Sequence, residues 1–174
     1  MALVFKEWSC IVDALGKGLQ SLILRKGGIS EEEGRFTLKG NKFLLMPTLF
    51  HQAEQMVKSE WLPKLDGSRF YKNPNEITIE YYAEVAMQKL ISNWATVQKL
   101  DPQHAWKEAV IAERFRRGEQ NVSLIIVQVY KLQNPLTLQL LPEYGGCKSW
   151  IEIAEDVNLI GTPIVYEKIK GTYF

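Results

Sequence analysis

Residues 20–52 read QSLILRKGGISEEEGRFTLKGNKFLLMPTLFHQ, and this stretch decides the fold. Leu22-Ile23-Leu24 runs into Arg25-Lys26-Gly27-Gly28, and Phe43-Leu44-Leu45-Met46 runs into Pro47-Thr48. Apolar runs this short, bounded by glycine and proline, read as interior strands rather than helices. Between them Ser30-Glu31-Glu32-Glu33-Gly34 is a charged tip. Gly27-Gly28 reads first as a turn that needs positive φ, and second as a close approach to a ligand. The charged and flexible residues gather where the strands end, where rigid scaffolds usually carry their sites.

Working outward, Trp8, Ile11, Val12 and Leu15 share one helical face, and Gly16 and Gly18 are stop signals. A helix is therefore predicted over 4–16, packed on the sheet. Pro47-Thr48 predicts a second helix, capped by Thr48, running to about Trp61 and closed by Pro63. Residues 63–75 read as loop. Residues 77–91 alternate in the strand manner, with Ile77, Ile79, Tyr81, Ala83, Val85 and Met87 on one face. Asp101-Pro102 predicts a third helix ending near Arg117 and Gly118. Residues 122–132, VSLIIVQVYKL, form a central strand that Asn134-Pro135 should end. A shorter strand or arm follows over 136–141. Pro142 to Trp150 is a specific turn, and 162–174 is weakly patterned.

The expected architecture is α+β: a mixed, mainly antiparallel sheet, strongly bent or partly closed as a barrel, with about three helices. Trp8, Leu22, Leu24, Leu44, Val85, Trp106, Ile125 and Val127 should be core. At 174 residues, 46% hydrophobic and 24% charged, the chain reads as one globular domain over 1–174. Twenty-one basic and twenty acidic side chains leave a net +1, so any basic surface must be local. Cys10 and Cys147 are far apart and read as free thiols in a reducing cytoplasm. No secretion signal and no apolar run of membrane-spanning length stands out.

The chemistry-bearing residues sort into two readings. Arg25, Lys26, Arg35, Arg114, Arg116 and Lys148 are candidate phosphate contacts on DNA or RNA. His51, Gln52 and Trp150 are candidates to read or stack a base. The rival is a small enzyme around Arg25, His51 and Cys147, with Glu80 or Glu84 as acids. Each residue also has a plain structural use. Arginines in a last helical turn complement the helix dipole, and a cysteine in a glycine-and-aromatic turn is expected to pack against Trp150. No P-loop, dinucleotide fingerprint, nucleophile elbow or zinc spacing occurs, so no cofactor or metal is expected. No acidic residue has a lysine two positions on; the nearest is Glu33-Gly34-Arg35, which argues against restriction-type cleavage.

Several motifs together resemble a known family. They are Phe5-Lys6-Glu7-Trp8, Leu22 to Ile29, Phe43 to Thr48 followed by His51-Gln52, Glu113-Arg114-Phe115, and Tyr144 to Trp150. Over about residues 3–153 the chain resembles a bacterial family catalogued as domain of unknown function 1802. Met46 departs from the tyrosine or phenylalanine expected there. Some relatives are joined to restriction-endonuclease-like domains, which implies a link to restriction–modification. The order of elements also resembles PUA-like domains, small bent barrels whose relatives bind RNA or modified bases. A non-catalytic nucleic-acid-binding module in the cytoplasm is the function these resemblances and residues together lead us to expect.

Overall fold

The computed structural model describes residues 1–26, 36–49 and 53–166. Eight strands form one open sheet: β1 (Ala2–Trp8), β2 (Leu22–Arg25), β3 (Lys42–Thr48), β4 (Tyr71–Asn73), β5 (Glu76–Ile91), β6 (Val122–Gln139), β7 (Trp150–Ile153) and β8 (Gly161–Pro163). The spatial order is β2-β6-β5-β3-β1-β7, with β4 paired to β5 and β8 to β6. Among the described residues only β1 and β3 run parallel, and every other pair is antiparallel. Among the described residues there are four short helices: α1 (Ser9–Gly16), α2 (Ala53–Met56), α3 (Trp94–Gln98) and α4 (Glu108–Arg116). The expected α+β class and mixed, mainly antiparallel sheet are the observed ones.

The two runs that opened the sequence are β2 and β3, and both are interior: Leu22, Ile23, Leu24, Leu44 and Leu45 are fully buried. All eight residues of α1 are buried. A helix with no solvent face belongs inside, and α1 packs against β3 and β6. The core is continuous from Val4 to Ile153. Of the expected core, Leu22, Leu24, Leu44, Trp106, Ile125 and Val127 are buried, whereas Trp8 and Val85 are half-buried.

Five expectations are corrected. The predicted helix over 4–16 is β1 followed by α1. Val4 to Trp8 pair with Leu44 to Thr48 on one side, and Ala2 to Phe5 with Ile153 to Trp150 on the other. Two distant partners outweigh the local helical spacing. Of the helix expected from Thr48 to Trp61, only α2 is helical among the described residues, and Pro47 and Thr48 are instead the end of β3. The Thr48 hydroxyl donates to Glu7 O at 3.0 Å instead of capping a helix. Asp101-Pro102 opens a single 3-10 turn over Asp101–Gln103, and α4 starts only at Glu108. Asn134-Pro135 does not end β6. Ile79 pairs with Leu136 and Tyr81 with Lys131, so residues 132–135 bulge out opposite Glu80 alone. A bulge accommodates a proline that has no N–H to give the ladder. The 63–75 loop also contains β4.

The sheet is bent sharply. β2 and β1 are four steps apart along the sheet path, roughly 19 Å in a flat sheet. Yet Arg25 at the end of β2 donates from Nη2 to Lys6 O in β1, and its guanidinium lies 4.8 Å from the Phe5 ring centre. The bulges at Ile79/Tyr81, where β6 carries the extra residues, and at Val85/Met87, where β5 does, supply local twist that bends the sheet.

Candidate nucleic-acid interface

The bend brings the ends of β1 and β2 together with α4 and the turn before β7. Phe5 and Glu7 alternate with Lys6 along β1, so Phe5 and Glu7 share a face. Phe5 is core; Glu7 is a carboxylate with no solvent exposure. Its Oε1 accepts from Trp8 N at 2.8 Å, and its Oε2 lies 3.3 Å from Arg25 Nη2. Arg114, on the inner side of α4, donates to Leu24 O at 2.8 Å. Its guanidinium sits 5.2 Å from the Trp8 ring and 4.9 Å from the Trp106 ring. Burial lowers the Arg114 guanidinium to about 10, against the raising effect of Glu7 and with the lowering effect of Arg25.

On the other face of β1, Lys6 Nζ donates to Gly146 O at 2.8 Å and Gly145 O at 3.3 Å. Its N–H donates to Ser149 O at 2.8 Å. Lys6 thereby fastens the glycine turn to the sheet. Gly146 is in the left-handed region at φ +74°, which a side chain would disfavour. Burial holds the Lys6 ammonium below its ordinary value; Cys147 opposes this, and Lys148 and Arg25 add to it. Lys6, Arg25, Lys148 and Cys147 are therefore electrostatic neighbours.

The expected site residues divide. Arg25, Arg114 and Lys148 come together here. Lys26, next to Arg25, is buried and donates to Asn121 O at 3.0 Å, Asn121 Oδ1 at 2.8 Å and Glu119 O. Arg116 points away from Arg114, is exposed and lies 5.8 Å from the Trp94 ring. With Arg117, Glu113, Ala109 and Ala112 it lines a shallow depression on the outside of α4. Arg35, His51 and Gln52 lie outside the described residues, and so does any meeting of His51 with Cys147.

Two assignments are overturned. Trp150 has no face for a base. Its ring packs against Phe5, Phe36 and Phe43 at centroid distances of 4.9, 5.9 and 5.0 Å, and its Nε1 donates to Thr37 O at 2.9 Å. Cys147, expected to pack against Trp150, is exposed, because the three phenylalanines already occupy the tryptophan. Cys10 is the buried thiol, pushed up to about 12 by burial and by the charge of Glu7.

Glu80 and Glu84 do not act as a pair. Arg69 Nη1 donates to both oxygens of Glu80 at 2.8 Å, while Nε donates to Asp13 Oδ1 at 2.8 Å and Nη2 to Tyr81 OH at 2.9 Å. Glu84 pairs with Lys42 at 2.8 Å and accepts from Tyr130 OH at 3.3 Å. Both carboxylates brace the sheet.

Sequence reasoning gave Lys6, Glu7 and His104 no part in the site, and read Trp106 only as core. A signal for Glu7 was legible once 2–8 is taken as a strand: an acid two positions from Phe5 must face the core and needs a cation. Among the described residues, no three His, Cys, Asp or Glu side chains are grouped to hold a metal ion, and no helix is long and apolar enough to cross a membrane.

The family model of a domain of unknown function, DUF1802, matches residues 4–169. No curated protein matches the chain. Among solved structures, two single-substitution variants of ZmASCH from Zymomonas mobilis superpose with TM-scores of 0.47 at 10% identity. The alignments cover 81% of this chain and 91% and 89% of those chains. ASCH from the same organism gives 0.43 at 9% identity, covering 81% and 88%.

Proposed function

The chain belongs to the DUF1802 family, a domain of unknown function, and we propose that it is a non-catalytic module that binds DNA or RNA. One observation supports this reading above the others. Arg25 and Arg114 lie beside the buried carboxylate of Glu7, and Lys6, on the other face of β1, is an electrostatic neighbour of Arg25 and Lys148, in a chain whose net charge is only +1. Cations concentrated at one end of a nearly neutral protein suit a polyanion at that end.

In this reading Arg25, Lys148 and Arg116 touch phosphate. Lys26 and Arg114 hold the strand ends in place, Trp150 is scaffold, and Arg35, His51 and Gln52 remain assigned to the interface. A cytoplasmic place in restriction–modification or nucleic-acid processing belongs to the same proposal. The test is fluorescence anisotropy with labelled oligonucleotides across a NaCl series. Affinity should fall linearly on a log–log plot, and Lys148→Ala should shallow the slope by about one phosphate contact. Failure of every oligonucleotide type to bind at low salt overturns the proposal.

The rival reading, an enzyme around Arg25, His51 and Cys147, draws on one observation: Cys147 is exposed beside Lys6 and Lys148. The thiolate is the reactive form of a cysteine. Alkylation with iodoacetamide at neutral pH separates the readings. A Cys147 rate like that of free cysteine removes the enzyme's nucleophile.

A further inference from the structure

The arginines of the described residues fall into two groups. Arg25, Arg69 and Arg114 donate to the protein itself: to Lys6 O, to Asp13, Glu80 and Tyr81, and to Leu24 O. Arg116 and Arg117, at the end of α4, are exposed and make no hydrogen bond or ion pair among the described residues. A guanidinium carries a planar fork of N–H donors that matches a phosphate. Here two such forks stand side by side and face solvent. Arg116 also has a seat: its guanidinium lies 5.8 Å from the Trp94 ring, which packs on Phe115 at 5.3 Å.

The two arginines rim the depression on the outside of α4, together with Ala109, Ala112 and Glu113. The alanines contribute only methyl groups, which leave room beside the helix and suit the apolar face of a sugar. A small molecule is held by enclosure, with most of its surface buried. A depression this open suits a chain that passes across it. It also adjoins the cations already described. Arg117 and Arg25 both act on Arg114, and Arg25 and Lys148 both act on Lys6. Positive groups thus succeed one another from Lys148 through Lys6, Arg25 and Arg114 to Arg117, a track along which a polyanion can lie.

We propose that the outer face of α4 is a phosphodiester-binding site, where Arg116 and Arg117 take phosphates of a nucleic-acid strand whose sugar lies over Ala109 and Ala112. It rests on the nucleic-acid-binding reading above and adds Arg117 and the alanine floor to it. The test is fluorescence anisotropy of the full chain with labelled oligonucleotides, single-stranded and duplex, across a NaCl series. Arg116→Ala and Arg117→Ala should each shallow the log–log slope by about one phosphate contact. The loss should be the same on unrelated sequences, because phosphate carries no base information. Ala109→Glu puts an acid into the depression at an exposed position in the first turn of α4, where the helix dipole favours it. That variant should bind about tenfold more weakly at low salt while its urea midpoint holds or rises. Gln139→Glu makes the same charge change at the exposed far end of β6 and should bind as the parent does. Glu113→Gln should tighten binding. If the arginine and Ala109 variants bind like the parent, Arg116 and Arg117 serve the helix dipole alone; this inference is then overturned and the module reading stands. Binding of no oligonucleotide by the parent at low salt overturns both.

Discussion

Arg25 of β2 meets Glu7 of β1 at 3.3 Å although their strands stand four steps apart in the sheet. The contact closes the bend, and it does so with a carboxylate that has no solvent exposure. Removing one partner of a buried pair leaves an uncompensated charge, which costs about 3–5 kcal/mol. Arg25→Ala should lose stability on that scale in urea unfolding. Replacement of both residues by apolar side chains should recover much of the loss. A double variant as unstable as Arg25→Ala would show that the pair does not organise the bend.

Arg69 offers a contrast within one molecule. It joins the fully buried Asp13 to Glu80 and Tyr81, whereas Lys42 and Glu84 pair at the surface with side chains about two-fifths exposed. Exposed pairs contribute roughly 0–1 kcal/mol. Arg69→Ala should cost on the order of 2–3 kcal/mol, softened because Lys17 still pairs with Asp13 at 2.6 Å. Lys42→Ala should cost no more than about 1 kcal/mol. Chemical denaturation of the two variants side by side checks the order.

Trp150 tests the division between scaffold and interface. With its ring enclosed by Phe5, Phe36 and Phe43, Trp150→Ala should cost about 3–5 kcal/mol. Trp150→Phe, which keeps an aromatic ring in the cluster, should bind oligonucleotides as the parent does. A tenfold loss of affinity in a folded Trp150→Phe protein would return the residue to the interface.

His104 sets an acid limit on stability. Burial lowers its imidazole from 6.5 to about 3, with Lys58 and Arg114 adding to the effect. Between those values the unfolded chain binds the proton and the folded chain does not. Its contribution is therefore complete above pH 6.5 and declines as pH falls toward 3, by up to about 1.4 kcal/mol per pH unit. His104→Asn should flatten stability in that window in urea titrations from pH 7 to 4. An unchanged pH profile would contradict the burial of a neutral imidazole.

The thiols should differ sharply. Cys147 is exposed, while Cys10 is buried and pushed up to about 12. Ellman's reagent at pH 8 should titrate one thiol quickly, and Cys147→Ser should abolish that phase. The second thiol should react only on unfolding. Because Cys10 ionises far more easily when unfolded, stability should also decline as pH rises from about 9 toward 12.

The reading of the chain succeeded where burial is written into residue type. The apolar runs 22–24 and 43–46 and the β-branched run in 122–132 are strands because any placement that exposed them would cost too much. The α+β class and the interior position of β6, flanked by β2 and β5, follow from those runs. Failures came where one segment had two local solutions. Val4 to Leu15 satisfies helical spacing, yet its first half pairs with β3 and β7. Thr48 is a sound cap by type, but its hydroxyl went to Glu7 O. Asn134-Pro135 is a sound stop, but a bulge absorbed it.

Charge was the least legible property. Sequence determined that Arg25, Lys26, Arg114 and Lys148 exist, and that they sit near strand and helix ends. Which of them would be buried depended on the bend that brings β2 to β1, and a bend summed over bulges in two other strands leaves no local signature. Tertiary structure alone therefore decided that Lys26 is tied to Asn121, that Arg114 is held between Trp8 and Trp106, and that Glu7 lies beside Arg25 and Arg114. The physical reason is range. Hydrophobic patterning acts residue by residue and can be read along the chain, whereas the fate of an ionised side chain is set by partners that only the folded sheet brings within a few ångströms.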